Sequence, residues 1–149
     1  MNHAPRFSLT LEVPAANSAD AYQHFTAKAA YETDVADVMI DCQKGNPPFI
    51  LLDVRDQLTY EQCHIPGAIH ITGRQINAKT TAHLDKNTTI VTYCWGPACN
   101  GATKAAAKLA SLGFPVKELL GGIEYWRKEG GQVEGTLGVE APMYWSIIK

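Results

Sequence analysis

Short unbroken apolar runs alternate along this chain with stretches in which apolar residues return at helical spacing. Phe49-Ile50-Leu51-Leu52-Asp53-Val54 is almost continuous, with a single acid near its end. A run of that length without alternation predicts a strand buried on both faces of a parallel sheet. Residues 68–71, 89–93 and 115–120 predict further strands of the same kind. Ser18 is an N-cap candidate before the helix formers of residues 19–30, which predict a first helix. Thr33-Asp34 opens a second, with Val35, Val38, Met39 and Cys42 on one buried face, and Gly45-Asn46-Pro47-Pro48 stops it. A strong helix is predicted over 102–112 with Gly113 as its C-cap, and a short amphipathic one over 123–128 after the turn Gly121-Gly122. Strands alternating with helices predict an α/β fold: a central, mostly parallel sheet of about five strands with helices on both faces.

Length and composition narrow the function. A chain of 149 residues suits one globular domain, and 46% apolar with 19% charged residues excludes a disordered chain. The net charge of −2 carries no basic field for nucleic acid. No apolar run approaches the roughly 20 residues of a membrane span. Neither nucleic acid nor membrane is therefore an expected partner. Residues 1–17 read as an extended, partly mobile arm without an export signal. Four cysteines (Cys42, Cys63, Cys94 and Cys99) are then expected as reduced thiols in the cytoplasm.

One turn concentrates the chemistry. In open α/β sheets, ligands bind beyond the carboxyl ends of the strands. Cys94 comes directly after the strand ending at Tyr93, and Trp95-Gly96-Pro97-Ala98-Cys99-Asn100-Gly101 leads from it into a helix. Gly96 and Gly101 are expected to let the backbone curl into an anion-binding nest. The helix dipole adds positive potential, so the Cys94 thiol is expected to titrate below the ~8.5 of a free cysteine, within about 3.5–7.5. Cys42 and Cys63 read as small buried hydrophobes. Cys99 reads equally as packing at the helix start or as a second thiol able to meet Cys94. Lys104 is expected to face solvent, away from the loop. His64 reads as a hydrogen-bonded anchor of the Pro66-Gly67 turn. No metal site is expected, because the cysteines lack the close spacing of zinc ligands.

Four segments, in order, resemble the rhodanese family over roughly residues 33–132. Leu51-Leu52-Asp53-Val54-Arg55 resembles its first core strand, and Cys63-His64-Ile65-Pro66-Gly67-Ala68 its Gly-His-Ile-Pro-Gly-Ala turn, with Cys63 in place of the usual glycine. Residues 93–102 resemble its active-site loop, and Gly121-Gly122-Ile123-Glu124-Tyr125-Trp126 its closing element. The resemblance implies a sulfurtransferase with no cofactor, in which Cys94 accepts a sulfane sulfur as a persulfide and passes it to a thiol, or to cyanide in an assay. It makes Trp95, Gly96, Pro97, Ala98, Cys99 and Asn100 the substrate-binding loop, and a small sulfur donor and a thiol acceptor the partners. It leaves 1–32 as an arm and helix, and 133–149 as a tail that packs on the domain or a partner, including a second copy in a homodimer. Many thiosulfate-using members carry a loop cation; here none lies between Cys94 and Asn100, and Arg55 and Arg74 are the auxiliary candidates in neighbouring loops. Arg55 reads more readily as a structural partner of local carboxylates.

Three competing readings remain at this level. A related phosphatase needs an arginine where Asn100 stands, and an amide cannot supply that charged, bidentate clamp. A dithiol reductase would use Cys94 and Cys99 together, attack on a Cys94 persulfide giving sulfide and a disulfide. A non-catalytic rhodanese-like binding module would typically have lost the loop cysteine, which is present here.

Overall fold

The computed structural model describes residues 6–145. Chain order runs α1 (Ser18–Tyr31), β1 (Glu32–Thr33), α2 (Val35–Gln43), β2 (Phe49–Asp53), α3 (Gln57–Gln62), β3 (Ile69–His70), β4 (Thr89–Tyr93), α4 (Gly101–Ser111), β5 (Val116–Leu119) and α5 (Gly122–Lys128). The five strands form one sheet in the order β1-β5-β4-β2-β3, and every pairing is parallel. β2 and β4 pair along their whole length, from Phe49 beside Thr89 to Asp53 beside Tyr93.

Those two central strands bury both faces, as their unbroken apolar runs require. Leu51, Val91 and Tyr93 point into a core closed by Val38, Ile123 and Trp126 of α2 and α5. Leu52 and Ile90 point the other way, against Ala102, Ala105 and Leu109 of α4. Helices therefore cover both faces, and the sheet is a buried middle layer.

Several local expectations change. Asn17, not Ser18, caps α1: its side chain accepts the Asp20 N–H at 2.9 Å, which leaves Ser18 as the first helical residue. α3 has no counterpart among the predicted elements, because six residues are too few to show a helical period. Its start is nonetheless encoded, since Asp56 accepts both the backbone N–H of Thr59 at 2.9 Å and its hydroxyl at 2.7 Å. The strand predicted over 68–71 shortens to two residues. Of the arm, residues 8–11 form a turn closed by Leu11 N–H on the Ser8 carbonyl at 3.2 Å, rather than staying extended. Met1 to Pro5 of the arm, and Ile147 and Ile148 of the tail, lie outside the described residues.

After α5 the chain folds back. His64 and Glu134 exchange backbone hydrogen bonds at 2.8 and 2.9 Å, and Ala141 is buried in the core. The Arg127 guanidinium gathers the carbonyls of Val139, Ala141 and Pro142 at 2.9–3.1 Å. Three hydrogen bonds to one charged group fix residues 139–142 along α5 and direct Met143, Tyr144 and Trp145 toward the carboxyl ends of the strands. Among the described residues no helix is long and apolar enough to cross a membrane.

Candidate active site

Because β2 and β4 are neighbours and both end at the same level, Asp53 and Cys94 come together at the carboxyl edge of the sheet. Asp53 is fully buried and chelates Arg55, whose guanidinium donates at 2.7, 3.1 and 3.2 Å. Arg55 also donates to the Cys63 carbonyl at 2.5 Å and lies 4.8 Å from the Trp95 ring centroid. A buried pair satisfied to this extent, with cation–π contact on its outer side, holds the ring of the residue after Cys94. Arg55 lines the site, but its charge is committed to Asp53.

The Cys94 thiol is 7% exposed and sits between the loop and the α4 face of the core. Gly101 makes room for it: a methyl group there would stand 2.9 Å from Cys94 Sγ and 3.3 Å from Cys99 Sγ. Both sulfurs thus border the same small space at the start of α4. Gly96 and Gly101 are not in the left-handed region; each is glycine for space, Gly96 because Glu124 packs against it. The Gly101 N–H points at Cys99 Sγ at 3.4 Å.

These contacts reverse the expected acidity. Burial, then the hydrogen bond and charge of Cys99, push the Cys94 thiol up to about 12, outweighing the backbone N–H of Trp95, which acts downward. The field of the helix start does not prevail here, because desolvation dominates for a thiol this enclosed. The resting residue is a protonated thiol.

The loop is also held from below. Gly121 and Gly122 have φ values of 79° and 56°, the left-handed region that a side chain disfavours. Their turn brings the Ile123 and Glu124 N–H groups onto the carbonyls of Cys94 and Trp95 at 3.1 and 2.9 Å. The first turn of α5 is therefore a clamp on the loop, and Gly122 fits so closely that a Cβ would lie 2.5 Å from the Cys94 carbonyl oxygen.

Above Cys94 opens a cleft of about 730 Å³. One wall is the loop; another carries Arg74, Lys104 and Lys108; the tail contributes Met143, Tyr144 and Trp145. Lys108 donates to the Gly73 carbonyl at 2.8 Å, which occupies its ammonium group.

Comparison with known proteins agrees with this architecture. Residues 32–129 match the family profile described as Rhodanese-like domain. The chain belongs to the rhodanese-like domain family. Its curated relatives include "Thiosulfate sulfurtransferase GlpE" of Pseudomonas savastanoi pv. phaseolicola, 37% identical over 79 residues, or 52% of this chain and 72% of that protein. They also include "HTH-type transcriptional regulator Rv0324" of Mycobacterium tuberculosis, 38% identical over 84 residues, where the match covers 56% of this chain but only 37% of the regulator. Among solved structures, the BH2092 protein of Bacillus halodurans is 60% identical with a TM-score of 0.86, covering 88% of this chain and 96% of that one. The Rhodanese-like domain of the Anabaena sp Alr3790 protein is 30% identical with a TM-score of 0.67, over 79% of this chain and 89% of that one.

Within this rhodanese-like domain the residues nominated from sequence divide in three. Cys94, Trp95, Gly96, Ala98, Cys99 and Asn100 line the main cleft, whereas Pro97 faces a second depression on the other side of the loop. Arg74 borders the cleft from the 3-10 turn Gly73–Gln75. Lys104 is exposed, as expected, but it lines the cleft rather than standing away from the loop. The signal was available: helical side chains tilt toward the N-terminus, so a lysine in the first turn of α4 reaches back to the loop. Met143, Tyr144 and Trp145 had no such signal, since tertiary contacts of Arg127, Lys128 and Ala141 bring them there.

Proposed function

We propose that this domain is a sulfurtransferase in which Cys94 carries a sulfane sulfur from a small donor to a thiol acceptor. The observation that carries the proposal is the Cys94 sulfur at the floor of an open cleft, beyond the end of β4, beneath a loop clamped by α5. In the first half-reaction Cys94 Sγ bonds to the donor's terminal sulfur as the S–S bond of the donor breaks. The donor remainder leaves with the bonding pair, and the thiol proton is lost to water. In the second, an acceptor thiolate, or cyanide in an assay, takes the outer sulfur and returns Cys94 to its reduced state. Covalent catalysis of this kind is ping-pong, and the cycle needs no cofactor.

The relatives named thiosulfate sulfurtransferase support a sulfane donor. With no cation in the loop from Trp95 to Asn100, Arg74 and Lys104 are the cleft side chains that meet an anionic donor. A cleft of about 730 Å³ exceeds what thiosulfate fills, which supports an organic persulfide as the better donor. Four free thiols suit a reducing compartment such as the cytoplasm.

Intact-mass measurement after incubation with thiosulfate, and separately with glutathione persulfide, tests the proposal. To keep the carried sulfur in place, the Cys99→Ser background is used. One added sulfur is expected, faster from the organic persulfide, and none when Cys94→Ala is combined with it. A gain that survives loss of Cys94 would refute the assignment.

A further inference from the structure

We infer that Cys99 is a resolving thiol, so that the domain also reduces a persulfide to sulfide through a Cys94–Cys99 disulfide. The inference rests on the Cys94 persulfide proposed above and adds a second fate for it. The decisive juxtaposition is at Gly101, where a methyl group would stand 2.9 Å from Cys94 Sγ and 3.3 Å from Cys99 Sγ, so that both sulfurs border one small space. Glycine at this position leaves that space open to both sulfurs; a side chain would crowd it.

Cys99 is held for this role by its backbone. Its N–H donates to the Gly96 carbonyl at 3.0 Å, closing a tight turn that aims the side chain back toward the strand end. The Gly101 N–H is directed at its sulfur at 3.4 Å, where it would support a developing thiolate. Cys99 is half-buried and borders the depressions on both sides of the loop, so water and an external reductant both reach it. The other cysteines are elsewhere: Cys63 is in the core on the opposite face, and Cys42 packs there from α2.

The step balances as an ordinary thiol–disulfide exchange. Cys99 loses its proton to water and its thiolate attacks the inner sulfur, the one bonded to Cys94 Cβ. The S–S bond of the persulfide breaks, and the outer sulfur leaves with the electron pair as hydrosulfide. Cys94 and Cys99 are now joined by a disulfide, the two-electron oxidation matching the two-electron reduction of the sulfane sulfur to sulfide. A low-molecular-weight thiol then reopens the disulfide, itself becoming a disulfide over two exchanges.

A single-turnover experiment tests this. Wild-type protein, Cys99→Ser and Cys99→Ala are incubated with glutathione persulfide, desalted, quenched in acid, and examined by intact mass, peptide mapping and sulfide assay. Wild type is expected to lose two hydrogens, to show a peptide joining Cys94 to Cys99, and to release one sulfide per chain. Both Cys99 variants are expected to keep one added sulfur and to release sulfide no faster than the donor does alone. The inference is overturned if wild type retains the added sulfur without a disulfide, or if the variants release sulfide at the wild-type rate. If the Cys99 variants gain no sulfur either, the carrier role of Cys94 fails, and the resolving step falls with it.

Discussion

The Cys94 sulfur lies where two influences oppose each other: an N–H of its own loop favours the anion, while burial and a neighbouring thiol favour the proton. Burial wins, and the consequence is measurable as reactivity. With the thiol pushed up to about 12, the thiolate fraction keeps rising across the neutral and mildly alkaline range. Alkylation of Cys94 by iodoacetamide is therefore expected to accelerate roughly tenfold per pH unit from pH 7 to 10 without levelling off, because only the thiolate reacts. Cys99→Ala removes the second cause but not the first, so its curve is expected to shift toward lower pH while remaining above that of a free cysteine. A plateau below pH 8 in the wild type would contradict the dominance of burial. This was the least legible part of the site. The strand–cysteine–loop–helix order is written in residues 89–102, but how deeply a sulfur sinks depends on α4, α5 and Trp95 packing around it, which local pattern does not specify.

At the scale of elements, legibility followed length. Runs such as Phe49–Asp53 and Thr89–Tyr93 declare buried strands, and the Ala-rich stretch before Gly113 declares α4. Two-residue β1 and six-residue α3 fall below the length at which any period repeats. The Gly121-Gly122 turn was visible, but its role as the clamp on the active-site loop was not, since hydrogen bonds from Ile123 and Glu124 back to Cys94 and Trp95 leave no local trace. Gly122→Ala tests that role. Strain at this left-handed position is expected to cost about 1–3 kcal/mol in chemical denaturation. The new methyl also pushes against the Cys94 carbonyl, so persulfide loading is expected to fall at least tenfold. Gly45→Ala is the matched control: its φ is 80°, but a Cβ there meets nothing within 4 Å. It should lose stability through backbone strain alone and load sulfur normally. Equal loading in the two variants would remove the clamp from the account.

For the molecule as a whole, the sheet presents Cys94 at its carboxyl edge and the returning tail builds part of the cleft above it. Arg127 connects these, since its guanidinium holds the carbonyls that lead to Met143, Tyr144 and Trp145. Each hydrogen bond to a charged group is worth about 1.5–3 kcal/mol. Arg127→Ala is accordingly expected to release the tail, with trypsin or chymotrypsin cutting after residue 130 many times faster than in wild type. Loading from thiosulfate, which needs only the floor of the cleft, should change little, while KM for glutathione persulfide should rise severalfold. Unchanged proteolysis would mean that the tail is retained by Ala141 and the His64–Glu134 bridge alone. The placement of Trp145 also gives the chamber a reporter. Its indole is exposed and lines the space that the substrate must enter, so arrival of an organic persulfide is expected to change its emission.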